Sequence, residues 1–168
     1  RQRAARVFDL GTGTGVLALA AAKALRHKVL ATDIDAEAVR VTALNARHNG
    51  VGPLITAVTA AGLHAPTVHA HAPFDLIFAN ILAKPLERLA TGISELLAPG
   101  GHVILSGLTR DQERWILACY RVRGLVLTQA LRLDNWVVLV MQRKSTQQKT
   151  RKKNSSRVKS AVRGSGYA

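Results

Sequence analysis

Residues 7–17 read Val-Phe-Asp-Leu-Gly-Thr-Gly-Thr-Gly-Val-Leu, and this stretch constrains the fold more than any other. An apolar run ends at an acid, glycine recurs at every second position, and an alanine- and leucine-rich segment begins at Val16. In that order the elements are a buried strand, a tight loop and a helix. Glycine lets the backbone pass close to a ligand because no Cβ projects into the gap. A helix beginning near Gly15 aims its free N–H groups and the positive end of its dipole at the same place.

Spacing selects the ligand. The dinucleotide fingerprint Gly-x-Gly-x-x-Gly requires glycine at position 16, where Val16 stands. Here the third glycine comes one residue early, and Asp9 lies just ahead of the loop. A second apolar run, residues 28–32, closes at Asp33, and a carboxylate at a second strand end can accept both hydroxyls of a ribose. The set Asp9, Gly11, Gly13, Gly15 and Asp33 resembles the S-adenosylmethionine site of class I methyltransferases.

The charges divide the chain in two. Of 24 Lys plus Arg and 10 Asp plus Glu, residues 1–141 hold 15 basic and 10 acidic groups, and residues 142–168 hold 9 basic and no acidic ones. The first part can bury a full core, whereas the second has almost nothing apolar to bury and reads as a disordered basic tail. Such a polycation attracts RNA weakly by charge alone, and it lacks the interleaved aromatics that stack on bases. The single cysteine, Cys119, excludes an intrachain disulfide framework and fits a reducing cytoplasm. No apolar run approaches the roughly 20 residues that span a bilayer. Arg1 stands where Met is usual, and only a few residues precede the first strand, so the chain reads as part of a longer protein.

Along residues 1–141, strands are expected at 6–10, 28–32, 54–58, 74–79 and 102–106. Helices alternate with them, at 16–26, after a cap at Asp35 as far as Asn49-Gly50, from Pro85 to Leu97, and from the Thr109/Gln112 capping box to Gly124. Residues 59–73, rich in Ala, His and Pro, read as a loop with one helical turn. His64, His69 and His71 do not have the spacing of a zinc site, and no metal is assigned. Residues 125–133 and 136–141 form a hairpin around Asp134-Asn135. The expected fold is α/β and Rossmann-like, with a seven-stranded, mostly parallel sheet, one antiparallel strand near its edge and helices on both faces. Class I methyltransferases are built this way.

Ligands of such sheets sit beyond the C-terminal strand ends. Asp9, Gly11, Asp33 and Asn80 all fall there, and Asn80 bears on the reaction. It follows the fourth strand, where amino-methylating enzymes carry an Asn- or Asp-Pro-Pro-Tyr motif. Methyl transfer from a sulfonium to an amine is an in-line displacement. A side-chain carbonyl and a nearby backbone carbonyl that accept the amine hydrogens leave the lone pair along the attack line.

A narrower resemblance rests on Asp-Leu-Gly-Thr-Gly-Thr-Gly-Val-Leu-Ala, Ala-Thr-Asp-Ile-Asp, the run 45–51, Ala-Asn-Ile-Leu-Ala at 79–83 and Leu-Ala-Pro-Gly-Gly-His-Val-Ile-Leu-Ser-Gly. These resemble the catalytic domain of the ribosomal protein L-eleven methyltransferase family, and Asn-Ile-Leu in place of Asn-Pro-Pro is the more specific sign. The resemblance implies methylation of lysine or N-terminal amines on a large-subunit ribosomal protein. It implies a cofactor-binding set of Asp9, Gly11, Gly13, Asp33 and Asn80, with Asn80 also facing the amine as the catalytic residue. The family's N-terminal substrate-recognition domain and its linker have no counterpart in these 168 residues. Nor does the run Ala60-Ala61-Gly62 supply the acid that receives adenine in related enzymes. The rival readings are another amino-methyltransferase acting on RNA or protein, and a non-catalytic RNA- or ribosome-associated module that binds through its tail.

Overall fold

A computed structural model describes residues 5–145. Seven strands form one sheet: β1 (Val7–Leu10), β2 (Val29–Asp33), β3 (Ile55–Thr59), β4 (Phe74–Asn80), β5 (Leu97–Thr109), β6 (Leu125–Leu133) and β7 (Trp136–Arg143). Their spatial order is β3-β2-β1-β4-β5-β7-β6. The pairs from β3 to β5 are parallel, and β7 runs antiparallel to both of its neighbours. The helices are α1 (Val16–Leu25), α2 (Ala36–His48), α3 (Pro66–His71), α4 (Ala83–Leu96) and α5 (Arg110–Arg121).

The apolar runs of β1 and β2 are continuous because both faces of the sheet are covered. Val7, Val29 and Ala31 pack with Ala18, Ala21 and Ala22 of α1 and Ala46 of α2. The alternate residues Phe8, Leu10 and Leu30 join the other cluster, with Leu86, Ala90 and Ile93 of α4 and Ile116 and Tyr120 of α5. This is the period-2 alternation of a strand, dividing its side chains between two layers of helices. Alanines at the α1 contact let that helix lie close to the strand that carries the glycine loop. Asp35 caps α2 by accepting from the Glu37 N–H at 2.9 Å, and Thr109 N–H bonds Gln112 Oε1 at 3.1 Å at the start of α5. In the interior, Tyr120 donates its hydroxyl to Leu86 O at 3.0 Å, tying α5 to α4.

One expectation is met and two need correction. The segment 59–73 contains a six-residue helix, α3, with Pro66 in its first turn and Val68 fully buried beneath it. β5 is longer than 102–106 because Pro99-Gly100-Gly101 lies inside the strand. A Cβ on Gly101 would come within 2.9 Å of the carbonyl oxygens of Ala98 and Phe74, so glycine here permits close strand approach. The sheet also reaches beyond 141: Gln142 Nε2 bonds Gly100 O at 3.0 Å, and the Arg143 guanidinium donates to Glu95 O and Leu97 O. The basic stretch expected from 142 therefore begins within β7, and its remainder from 146 lies outside the described residues.

Candidate functional site

Strand register sets the site. Leu10 of β1 pairs with Thr32 on one side and Ala79 on the other, so Gly11, Asp33 and Asn80 come one step later, side by side at the C-terminal edge. Ser106 of β5 stands opposite Asn80. The structure thus brings Gly11, Asp33 and Asn80 together on that edge, whereas Asp9, also expected there, lies inside β1 opposite Ala31 and Phe78 and is buried beneath the loop.

The loop between β1 and α1 holds itself in place with bonds to its neighbours. Gly11 and Thr12 both donate their N–H groups to Thr32 O at 2.9 Å, and Gly15 N–H closes a turn on Thr12 O at 2.9 Å. Gly11, Gly13 and Gly15 have φ of 70, 57 and 86°, the left-handed region open to glycine at little cost. Gly11 also needs its bare Cα for space, since a Cβ would lie 2.7 Å from Ile81 Cγ2 in the loop after β4. At Gly13 a Cβ would meet nothing within 4 Å, so there the loop borders open space.

Two acids hold the loop from below and from the side. Asp9 is 1 % exposed, and its Oδ2 accepts from Thr12 Oγ1 at 2.7 Å and Ala18 N–H at 3.1 Å. It therefore clamps the loop to the first turn of α1. Asp33 Oδ2 accepts from Gly13 N–H at 2.9 Å and its Oδ1 from Asp35 N–H at 3.1 Å. From α2, Thr42 donates to Gly13 O at 3.0 Å and Asn45 Nδ2 to Thr14 O at 2.9 Å. Thr12 and Thr42 carry no local sequence signature of these roles, because their contacts depend on tertiary placement. Three apolar side chains beside the loop and strand ends are exposed: Val16 after Gly15, Ile34 after Asp33, and Leu82 two residues beyond Asn80.

Burial raises the Asp9 pKa above its usual 3.8; the Thr12 and Ala18 hydrogen bonds oppose the shift, and the Asp33 charge adds to it. A carboxyl whose pKa is raised by folding favours the fold fully below its unfolded value, and that contribution is lost as pH rises through the folded value. Asp9→Asn, which cannot ionise, is expected to gain stability relative to the wild type as pH rises from about 3 to about 7. Urea midpoints across that range measure the difference. A constant difference would show that ionisation of Asp9 is not disfavoured in the fold.

No group of three His, Cys, Asp or Glu among the described residues is placed to hold a metal ion. His71 of the histidine-rich segment pairs its Nδ1 with Thr67 O at 2.8 Å. Cys119 is half-buried and packs against the core. No helix among the described residues is long and apolar enough to cross a membrane.

The family model described as ribosomal protein L11 methyltransferase matches residues 1–144. The chain belongs to that family. A ribosomal protein L11 methyltransferase of Rhodopseudomonas palustris (strain BisB5) is 56 % identical over 135 residues, covering 80 % of this chain and 46 % of that protein. One from Bradyrhizobium diazoefficiens is 51 % identical over 141 residues, covering 84 % and 48 %. The chain thus spans about half the length of the curated relatives it matches. A crystal structure of ribosomal protein L11 methylase from Lactobacillus delbrueckii subsp. bulgaricus aligns with a TM-score of 0.73 at 32 % identity, over 84 % of this chain and 71 % of that one. The fold is the Rossmann-like one of class I methyltransferases, as expected from the alternation of strands and helices.

Proposed function

We propose that this chain is a methyl-transferring domain that takes methyl groups from S-adenosylmethionine and places them on amino groups, lysine or N-terminal, of a large-subunit ribosomal protein. The observation that carries the reading is the row Gly11, Asp33 and Asn80 at one strand edge, with open space over Gly13. The substrate named for the relatives is ribosomal protein L11, and we extend it to this chain.

The residues fit the nucleoside. A carboxylate offers about four acceptor positions, and Asp33 spends two on Gly13 and Asp35, leaving two for a ribose diol. Ile34, 75 % exposed beside it, offers an apolar surface to a flat base. Asp9 stays beneath the loop, and with Gly11 and Gly13 it shapes the wall. When bound, S-adenosylmethionine supplies an electrophilic methyl group on a positively charged sulfur.

Asn80 is exposed, and its side-chain carbonyl and a neighbouring main-chain carbonyl accept the hydrogens of an incoming amine. That orients the lone pair. A lysine ammonium, of pKa about 10.4, must first release a proton, and solvent at this open edge takes it. Residues 142–168, with 9 basic and no acidic groups, add weak attraction to RNA, and the domain works in the cytoplasm.

Calorimetric titration of the full chain with S-adenosylhomocysteine tests the cofactor assignment. One-to-one binding is the expected result. Absence of binding by the folded chain would sink it, and RNA binding lost on deleting the tail would then favour a non-catalytic module.

A further inference from the structure

Asn80 presents its amide without a polar partner: among the described residues it makes no side-chain hydrogen bond. Hydrogen bonding among the described residues does not set its direction. The neighbouring strand β5 is irregular at the same level. Leu105 pairs with Leu139 and Leu108 with Val137, so three steps along β5 face two along β7, a bulge that contains Ser106 and Gly107. Ser106 is the partner of Asn80 across the β4–β5 pair.

Gly107, in the bulge, has φ +75°. A Cβ on Gly107 would lie 2.9 Å from Asn80 Oδ1, 3.2 Å from Ile81 O and 3.6 Å from Ile81 N. The bare Cα face of the glycine is therefore packed against the Asn80 carbonyl and the peptide that follows it. Any larger residue would occupy the space where Oδ1 now lies.

We infer that Gly107 is a positioning residue: the β5 bulge brings its backbone against Asn80 and sets the direction of the Asn80 carbonyl sterically, leaving every polar atom of that amide free for a ligand. The inference rests on the proposed role of Asn80 for its meaning, and its test separates the two. A hydrogen bond would also orient the amide, but it would consume an acceptor or donor that the reaction needs.

Three-bond couplings to Asn80 Cγ report χ1 in the unliganded full chain. One rotamer is expected in the wild type and an averaged or different one in Gly107→Ala. Gly100→Ala is the control: the same strand, φ +81°, and open space where the Cβ would go, so it strains the backbone without touching Asn80. It should lower the melting temperature comparably and leave the couplings unchanged. Averaged χ1 in the wild type itself would overturn the inference even if Gly107→Ala failed to fold.

The second readout is S-adenosylhomocysteine affinity. Gly107→Ala should weaken it by roughly fivefold in the wild-type background and have little effect when Asn80→Ala has already removed the oxygen. Equal weakening in both backgrounds would mean backbone strain alone and overturn the inference. Failure of the wild type to bind at all would instead sink the cofactor assignment, while the couplings still decide the role of Gly107.

Discussion

Asp33→Ala is expected to weaken S-adenosylhomocysteine binding by roughly a hundredfold. Two hydrogen bonds from ribose hydroxyls to a charged acceptor are worth about 1.5 kcal/mol each at the low end, and a factor of ten is about 1.4 kcal/mol. The carboxylate also holds Gly13 N–H at 2.9 Å and Asp35 N–H at 3.1 Å, so the loss combines direct contact with a looser loop. The two effects separate by experiment. Loosening alone lowers the melting temperature and costs affinity only modestly, because Thr32, Thr42 and Asn45 still hold the loop. Calorimetry beside a thermal melt therefore decides. A lowered melting temperature with unchanged affinity would make Asp33 a loop clamp and nothing more.

The parts of this molecule that could be read from sequence are those where local chemistry and tertiary position agree. β1 is a short run with its acid one residue before the end, β2 a short run that ends at an acid, and nearly every residue of both is buried. Asp35 is a cap by composition and by geometry. Gly11, Asp33 and Asn80 were visible because each follows the last residue of an apolar run, and parallel register then places them in one row. The misreadings lie where local preference and tertiary context conflict. Pro99-Gly100-Gly101 carries helix- and strand-breaking residues, yet β5 passes through it because Gly101 lets two strands approach closely. Gln142 and Arg143 open a polar, basic stretch, but their side chains find carbonyl oxygens at the end of α4 and the start of β5 and stay in the sheet. Gly107 went unread for the same kind of reason: a glycine after Ser106 looks like a turn, and only the packed strands show what it faces.

Asn80→Ala should reduce methyl transfer by about two to three orders of magnitude, the scale of losing one well-placed polar group that orients or stabilises a reacting centre. Affinity for S-adenosylhomocysteine should fall only about fivefold, the worth of a single neutral hydrogen bond. The difference between those two effects is the informative quantity. A residue that only walls the cofactor pocket would weaken binding and leave the rate at saturating cofactor unchanged, whereas one that orients the amine lowers that rate because it acts after the cofactor is in place. Asn80→Asp keeps a carboxyl oxygen at the same strand end and should retain more transfer than Asn80→Ala. Transfer of a radiolabelled methyl group from S-adenosylmethionine to ribosomal protein L11, followed at saturating cofactor, measures all three chains. Equal rates for the wild type and Asn80→Ala would remove Asn80 from the reaction. A wild type that binds cofactor yet transfers nothing would mean that this domain does not methylate the protein by itself. The carbonyl direction set by Gly107 would then matter only for holding the cofactor.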